Sequence, residues 1–176
     1  MRVIGENIVL REFRAEDISA MRAWVTDNDT ARFLGGTYNR PNTWEDTENY
    51  LRNILNGNAG GYNFAVAEKE TLRYIGQCNL LSVDFLSRSA ELAIVLCPDA
   101  QGTGIGFEAV KLLLSYAFDT LNLNRVWLKV WDDNERAIRC YQKAGFRIEG
   151  TLREDGYREG RFRDRLIMGI LRREAR

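Results

Sequence analysis

A glycine-rich run, Gln101-Gly102-Thr103-Gly104-Ile105-Gly106, carries the clearest chemical signal in this sequence. It lies between an apolar segment with strand character, Ala90 to Cys97, and a segment with helix character, Phe107 to Leu121. Glycine admits backbone conformations closed to other residues, and its missing side chain lets a ligand approach closely. Consecutive amide N–H groups at the start of a helix then form an anion cradle. The run predicts a site for a phosphate-bearing ligand, with an ordinary strand-to-helix turn as the alternative.

Two common nucleotide sites fit this run poorly. A P-loop needs Lys and then Ser or Thr after its last glycine, whereas Phe107 and Glu108 follow Gly106 here. The dinucleotide fingerprint is a more serious rival, because Gly104, Gly106 and Ala109 satisfy its spacing. However, the run falls beyond the middle of a chain of 176 residues, which leaves too little sequence for a doubly wound dinucleotide domain.

The strands and helices that must position this run are predicted to form one α/β domain. Apolar alternation predicts strands over Asn7 to Phe13, Tyr62 to Glu68, Tyr74 to Ser82, Ser89 to Cys97, Arg125 to Trp131, Phe146 to Thr151 and Phe162 to Leu171. Helical spacing and caps predict helices over Ala15 to Val25, from Thr43 to Asn56, over Phe107 to Leu121 and over Glu135 to Ala144. We predict a single mixed, mostly antiparallel twisted sheet of about seven strands with flanking helices, in one domain spanning residues 1–176.

Composition excludes several classes of chemistry and partner. There is no histidine, so no mechanism can use an imidazole base, nucleophile or metal ligand, and we predict no metal site. Lys plus Arg and Asp plus Glu each number 25, which argues against nucleic acid as a partner. Cys78, Cys97 and Cys140 form no disulfide framework, and no apolar run has the length of a membrane span. We therefore expect a cytoplasmic protein that does not bind a membrane.

Two motifs in this order resemble those of the GNAT superfamily of N-acetyltransferases. The family hallmark, Gln/Arg-x-x-Gly-x-Gly/Ala after a strand, is matched by Gln101, Gly104 and Gly106. Its second signature is similar to Asn134-x-x-Ala137-x-x-x-Tyr141, in a helix that ends at Gly145-Phe146. The order of elements also resembles the GNAT (acyl-CoA N-acyltransferase) fold. The N-terminal Leu10-Arg11 and the tail around 156–171 resemble the branch with ribosomal-protein N-terminal acetyltransferases and spermidine acetyltransferase.

The resemblance implies acetyl-CoA as the acetyl donor and assigns its binding residues. The glycine run would hold the pyrophosphate, the end of the preceding strand would pair with the pantetheine arm, and the short helix would also reach that arm. The thioester would lie between splayed strands, where an amide N–H near Val95 or Leu96 would polarise its carbonyl. The cofactor-binding residues so implied are Ile94, Val95, Leu96, Gln101, Gly102, Thr103, Gly104, Ile105, Gly106, Asn134, Ala137 and Tyr141.

Catalysis by direct amine attack needs an acid for the leaving thiolate and a base for the amine. A phenol ionises near a pKa of about 10 and a thiol near about 8.5, so we predict Tyr141 as the general acid, with a packed aromatic as its alternative role. Glu91 lies where this branch often has Glu, and we predict it as the base, against a surface carboxylate as the alternative. Asp84 is a weaker candidate. Cys140 is expected to pack rather than to react.

The acceptor is left open by the sequence. The branch resemblance favours a protein N-terminus of the ribosomal-protein type or a small-molecule amine, with Phe33, Tyr38 and Trp44 as possible lining residues. A polyamine such as spermidine is the alternative, and the absence of Asp and Glu from Ala31 to Asn42 counts against it. A non-catalytic acyl-CoA sensor is a further alternative. A homodimer is possible because the family commonly forms one.

Overall fold

The structure of the chain, a computed structural model, describes residues 1–34 and 40–175. Within these ranges the strands form one sheet of eight in the order β1-β2-β3-β4-β5-β6-β8-β7. The strands are β1 Val3–Ile4, β2 Ile8–Arg11, β3 Tyr62–Glu68, β4 Tyr74–Asp84, β5 Ser89–Leu96, β6 Arg125–Trp131, β7 Arg147–Arg158 and β8 Arg161–Leu171. The helices are α1 Ile18–Val25, α2 Asn28–Ala31, α3 Trp44–Leu55, α4 Ile105–Ser115 and α5 Glu135–Lys143.

The pairing confirms a mixed, mostly antiparallel sheet. Every neighbouring pair is antiparallel except β5 and β6, which run parallel through the crossover that contains α4. The sheet has eight strands rather than about seven, because Val3 and Ile4 pair with Leu10 and Val9 as a two-residue strand. A strand this short carries no alternation that a sequence pattern could reveal.

Helices cover both faces of the central strands, so those strands are buried on both sides. On one face, α4 packs Val110, Leu113 and Leu114 into the main apolar cluster. On the other, α1 and α3 pack Met21 and Leu51 into a second cluster against β3 and β4. We call these the α4 face and the α1 face. Side chains and ligands can therefore meet the same strands from two separate faces.

The helix boundaries differ from the prediction at α4 and its neighbours. The helix begins at Ile105, inside the glycine run, and continues after Ser115 as a π-helical turn, Tyr116–Thr120. A short 3-10 turn, Ala15–Asp17, precedes α1, and the four-residue α2 was not predicted. By contrast, α3 begins with the predicted capping box, in which Thr43 and Asp46 bond each other's backbone N–H groups.

A buried ion pair fixes the start of α1 to the sheet. Arg11 donates to both carboxylate oxygens of Asp17, at 2.9 and 2.7 Å, and the two side chains are 1% and 3% exposed. The same guanidinium donates to the Leu72 carbonyl, and Asp17 also accepts from the Arg14 backbone N–H. Each buried charge therefore has several hydrogen-bond partners, which is the condition for tolerating it in a core.

Candidate active site

The parallel strands β5 and β6 separate after three residues, and this leaves a gap in the sheet. Pairing runs only from Ser89–Glu91 to Arg125–Trp127. Beyond it, β6 keeps its full pairing with β8 up to Trp131, while β5 keeps its pairing with β4 up to Leu96. The gap therefore opens between residues 92–96 of β5 and 128–131 of β6, with Glu91 at its closed end.

The direction of the β5 backbone shows which amides face this gap. The N–H of Cys97 donates to the carbonyl of Ile75 in the adjoining part of β4, at 2.9 Å. Because backbone polar groups alternate sides along a strand, Val95 also faces β4, while Ile94 and Leu96 face the gap. Of the two amides predicted as carbonyl donors, Leu96 is therefore directed into the gap and Val95 is directed away from it.

The glycine run forms an anion cradle at the mouth of this gap. Gly102 and Gly104 have φ of +78° and +91°, values that favour glycine, and a Cβ at either position would meet nothing within 4 Å. The first helical hydrogen bond is from the Glu108 N–H to the Gly104 carbonyl, at 3.2 Å. Within the described residues, the N–H groups of residues 102–107 have no protein partner. They are available to an anion.

Thr103, Ile105 and Gly106, the remaining members of the run, support the backbone of the cradle. Thr103 donates its hydroxyl to the Ala100 carbonyl at 2.8 Å, which closes the turn before the helix. Ile105 is the first residue of α4 and packs against the main apolar cluster. A Cβ on Gly106 would lie 3.5 Å from Leu96 Cδ1, an ordinary contact, so alanine would fit there as the family pattern allows.

Gln101 uses its side chain to connect three elements. Its Nε2 donates to the Thr30 hydroxyl in α2 at 2.8 Å and to the Leu96 carbonyl at the end of β5 at 2.9 Å. Its Oε1 accepts from a guanidinium nitrogen of Arg136 in α5. Sequence reasoning missed Arg136, an exposed cation beside the cradle, because it occupies an unspecified position of the Asn134-x-x-Ala137 signature.

Helix α5 presents Tyr141 from the α4 face. Asn134 is the N-cap, and its Oδ1 accepts from the Ala137 N–H at 3.3 Å, which leaves its amide group free to donate elsewhere. Tyr141 is buried, with its ring 5.8 Å from that of Phe146. Burial, and to a lesser degree Cys140, raises the pKa of the Tyr141 phenol. The phenol is therefore protonated at neutral pH, as a general acid must be.

Glu91 lies on the opposite, α1 face of the sheet. Its neighbours across the ladder are Leu81 on β4 and Trp127 on β6, and it is partly buried. Ile94, three residues further, is about 10 Å away along the strand. A carboxylate at this position can reach an amine that enters the gap from the α1 face, either directly or through water.

Two other residues from the sequence analysis are Asp84, the weaker candidate for the base, and Cys140, which is expected to pack rather than to react. The pKa of the Asp84 carboxyl is lowered by a hydrogen bond from the Ser87 side chain and, after it, by hydrogen bonds from the backbone N–H groups of Ser87 and Leu86 in the β4–β5 turn. Cys140 is half-buried, and burial raises the pKa of its thiol. A thiol with a raised pKa is a poor nucleophile at neutral pH.

A cleft of about 150 Å³ lies between α1 and α3 on the α1 face. It is lined by Met21, Trp24, Val25, Arg40, Asn42, Asp46, Thr47 and Tyr50. The carboxylate of Asp46 is held by Arg40 at 2.9 and 3.2 Å. Of the predicted lining aromatics, Trp44 is 52% exposed, Phe33 packs elsewhere, and Tyr38 lies outside the described residues.

Beneath the cleft, polar side chains form a continuous chain. Trp24 donates to the Tyr74 hydroxyl, Tyr74 donates to Gln77 Oε1, and Gln77 donates to the Tyr50 hydroxyl. Burial raises the pKa of both phenols, although the hydrogen bonds oppose it. These four hydrogen-bonded side chains are therefore uncharged at neutral pH.

Residues 1–34 and 40–175 contain neither a membrane-spanning helix nor a metal-holding group of side chains. No helix there is long and apolar enough to cross a membrane. No group of three or more Cys, Asp or Glu side chains in those ranges is arranged to hold a metal ion.

Comparison with known proteins gives a consistent family. Residues 7–147 match the family model described as an acetyltransferase (GNAT) domain. The chain is 31% identical over 121 residues to spermidine N(1)-acetyltransferase of Escherichia coli (strain K12), covering 64% of this chain and 65% of that protein, just under two thirds. It is 32% identical over 99 residues to the putative ribosomal N-acetyltransferase YdaF of Bacillus subtilis (strain 168), covering 56% and 54%.

A solved structure is similar along nearly the whole chain. It is spermidine N-acetyltransferase from Vibrio cholerae in complex with CoA and spermine, with a TM-score of 0.84 and 25% identity. The similarity covers 97% of this chain and 98% of that one. The overall fold of this chain is thus similar to that of a protein solved in complex with CoA.

Proposed function

Since the chain belongs to the GNAT family of acetyltransferases, whose acetyl donor is acetyl-CoA, we propose that it acetylates a primary amine, on a small molecule or at a protein N-terminus. The observation that carries the proposal is the cradle of N–H groups over residues 102–107, which have no partner in the described part of the chain, next to a gap bordered by the Ile94 and Leu96 backbone. A pyrophosphate fits the first, and an extended amide-containing arm fits the second.

The residues fit acetyl-CoA in this order along the gap. Residues 102–107 and Arg136 would hold the phosphates, and Ile94 and Leu96 would hydrogen-bond the arm. Thioester chemistry is supplied by the bound donor. The Leu96 or Ile94 N–H is directed to stabilise an oxyanion on the thioester carbonyl. The Oδ1 of Asn134 caps Ala137, and among residues 1–34 and 40–175 its Nδ2 donates to no protein group and is available to the arm.

The proposed reaction uses a base on one face of the sheet, to take a proton from the amine, and an acid on the other, to give one to the thiolate. An acceptor amine entering from the α1 face would lose a proton to Glu91 or to water beside it. The departing thiolate would take a proton from Tyr141, which is on the α4 face and protonated at neutral pH. Roughly 0.04% of an alkylamine with a pKa of about 10.4 is neutral at pH 7, against roughly 14% of an α-amine with a pKa of about 7.8. An alkylamine therefore depends more on the base.

A polyamine acceptor is a second candidate, and the relatives support it by name. The E. coli relative is a spermidine N(1)-acetyltransferase, and the V. cholerae structure holds spermine. The cleft on the α1 face is a poor binding site for a polycation, because the carboxylate that lines it, Asp46, is already paired with Arg40. We therefore place polyamines second.

One titration tests the proposal. The purified chain is titrated by calorimetry with acetyl-CoA, NAD and ATP, and free thiol is then followed after addition of an amine panel that includes spermidine and short peptides. We expect binding of acetyl-CoA alone and thiol release that depends on an amine. Binding without release for every amine would favour a sensor, and no binding would refute the role of the cradle.

A further inference from the structure

Four arginines from three segments gather at the open end of the gap, around Trp131 and Asp133. The guanidinium of Arg158 lies between the rings of Phe33 and Trp131, at 5.0 and 4.8 Å from their centroids. Arg165 stacks on Trp131 at 4.3 Å. The four, which we call the arginine cluster, are Arg32, Arg158, Arg163 and Arg165.

The carboxylates nearby do not satisfy this cluster. Asp133 is shared by Arg158, Arg163 at 3.3 Å and Arg32 at 3.9 Å. Burial opposes ionisation of Asp133, but the hydrogen bond from Arg158 and the nearby guanidinium charges outweigh it and lower the pKa of the carboxyl. Glu159 and Asp155 are the other anions in ion-pair contact, so the cluster has one guanidinium more than it has carboxylates.

The Nε donors of the cluster are buried and make no hydrogen bond among the described residues, although Arg32 Nε and Arg158 Nε lie 3.4 and 3.8 Å from Glu159. Within the described residues, the Nε atoms of Arg32, Arg158, Arg163 and Arg165 have no hydrogen-bond partner. Arg165 Nε is 3.2 Å from Asp155, but the approach is not oriented for a hydrogen bond. The side chains of Arg163 and Arg165 are 15% and 28% exposed, so part of each guanidinium reaches solvent. Because the Nε atoms are buried, the partly exposed and partly desolvated ends of Arg163 and Arg165 are the groups that would favour an added oxyanion.

The cluster lies on the side from which an acceptor must approach. Val130 belongs to the main apolar cluster on the α4 face, so Trp131 and its ladder partner Arg165 face the other way. Trp131 also donates its indole N–H to the Phe33 carbonyl, next to α2. The cofactor cradle and Tyr141 belong to the α4 side. The arginine cluster is therefore at the open end of the gap, on the same face as Glu91.

From this juxtaposition we propose that the acceptor carries an anionic oxygen group, a carboxylate or a phosphate, which the arginine cluster binds while the amine reaches the gap. The inference rests on the proposed acetyl transfer and narrows its substrate class. Planar guanidiniums suit a two-oxygen anion because two parallel N–H donors match its geometry. A polycation would be repelled by the same group of charges.

The test compares acceptors that differ only in the anion. Initial rates are measured for L-methionine against L-methioninamide and for O-phosphoethanolamine against ethanolamine, at equal concentrations of unprotonated amine. We expect kcat/KM at least tenfold higher for the anionic member of one pair, and which pair responds separates carboxylate from phosphate. Equal values in both pairs, or spermidine exceeding both anionic amines, would overturn the proposal.

Variants assign the preference to the cluster. Arg163→Gln should lower kcat/KM for the anionic amine about tenfold and leave the neutral partner within twofold, whereas Arg139→Gln, on the exposed surface of α5, should change neither. Arg163→Lys keeps the charge and replaces Arg163→Gln if that variant fails to fold. An equal loss for both members of the pair would contradict an anion site.

A binding measurement keeps the inference separate from turnover. With CoA present, N-acetyl-L-methionine and its amide, and N-acetyl-phosphoethanolamine and N-acetylethanolamine, are titrated into the unmodified chain and into Arg163→Gln. At least one anionic compound should bind the unmodified chain at least tenfold more tightly than its neutral partner. No difference in either pair would overturn the proposal even if no amine had yet been acetylated.

Discussion

The side-chain Nε2 of Gln101 lies 2.9 Å from the backbone carbonyl oxygen of Leu96. The first residue of the cradle is thus bonded to the last residue of the strand that borders the gap. The same nitrogen bonds Thr30 in α2, so one side chain connects the glycine run to both β5 and α2. Gln101 acts as a positioning residue, since its side chain is committed to protein partners.

Replacing Gln101 should weaken the site without unfolding the chain. We expect Gln101→Ala to raise the Kd for acetyl-CoA about tenfold, because the cradle and β5 lose their connection, which corresponds to about 1.4 kcal/mol. Calorimetry measures this, and Thr30→Val serves as the partial control because it removes the Gln101 bond to α2, together with the bond from the Thr30 hydroxyl to Asp27, and keeps the bond to Leu96. An unchanged Kd in Gln101→Ala would show that the backbone alone holds the cradle.

Tyr141→Phe should separate chemistry from binding. The substitution removes only the hydroxyl that would protonate the thiolate, so kcat should fall about a hundredfold while the Kd for acetyl-CoA stays within twofold. Stopped-assay rates and calorimetry on the same preparation give both quantities. Phe107→Leu, at a partly buried position in the first turn of α4, serves as a packing control. A kcat equal to that of the unmodified chain would remove Tyr141 from the mechanism.

Glu91→Gln tests the base on the other face. Because the amide cannot accept a proton, kcat/KM for an alkylamine at pH 7 should fall about tenfold or more. The loss should shrink as the pH rises, since more of the amine is then already neutral. Rates from pH 6 to 10 give the comparison, with Asp84→Asn as the matched carboxylate control in the β4–β5 turn. A loss that does not depend on pH would refute a base.

Glu108 predicts a pH dependence of stability. Its carboxylate accepts from the backbone N–H groups of Asn7 and Ile8 and from the Asn7 side chain. Burial opposes ionisation, but these bonds outweigh it and lower the pKa of Glu108. The stabilisation is therefore full above the unfolded pKa of about 4 and is lost as the pH falls through the lower, folded value.

Glu108→Gln should accordingly cost about 1 to 2 kcal/mol at pH 7 and much less at pH 3. Urea unfolding at the two pH values measures the difference between the variant and the unmodified chain. Glu48→Gln, in an exposed helical ion pair with Arg52, should change little at either pH. A cost that is the same at pH 3 and pH 7 would show that the charge does not matter.

Asp17→Asn should be the most destabilising of these changes. The amide would leave the buried guanidinium of Arg11 without its counter-ion, at a cost of about 3 kcal/mol or more in free energy of unfolding. Glu135→Gln, in an exposed pair with Arg139, should cost well under about 1 kcal/mol. Chemical denaturation compares them. Similar costs for the two would contradict the effect of burial.

Local patterns predicted most of the elements but fewer of the contacts. Apolar alternation and the Thr43–Asp46 cap indicated the strands and α3, because those signals lie within a few neighbouring residues. The parallel crossover from β5 to β6 followed from the helix between them. The two-residue β1 and the π-helical turn at Tyr116–Thr120 carry no such pattern and depend on packing.

The candidate site was predictable only where one short segment carries it. The glycine run and the face of α5 satisfied this, so the cradle and Tyr141 were named from sequence. Arg136, by contrast, reaches Gln101 across 35 positions, and Arg158 reaches the Arg32 carbonyl across 126. Which arginine meets which acid in such cases depends on the folded arrangement of the strands, and no spacing rule reveals it.

Because β5 separates from β6, one edge of β5 has no partner strand beyond Glu91 in the part of the chain that the structure describes. Residues 92–96 have a hydrogen-bonding edge in the interior of the molecule, and an extended arm lying there would act as one more strand. The concentration of acetyl-CoA would then affect the lifetime of the folded protein as well as its rate of acetyl transfer. At a hundredfold excess over Kd, such a ligand adds about 2.7 kcal/mol to the stability of the folded state. A cell short of the donor would hold this protein in a looser form, more open to proteolysis.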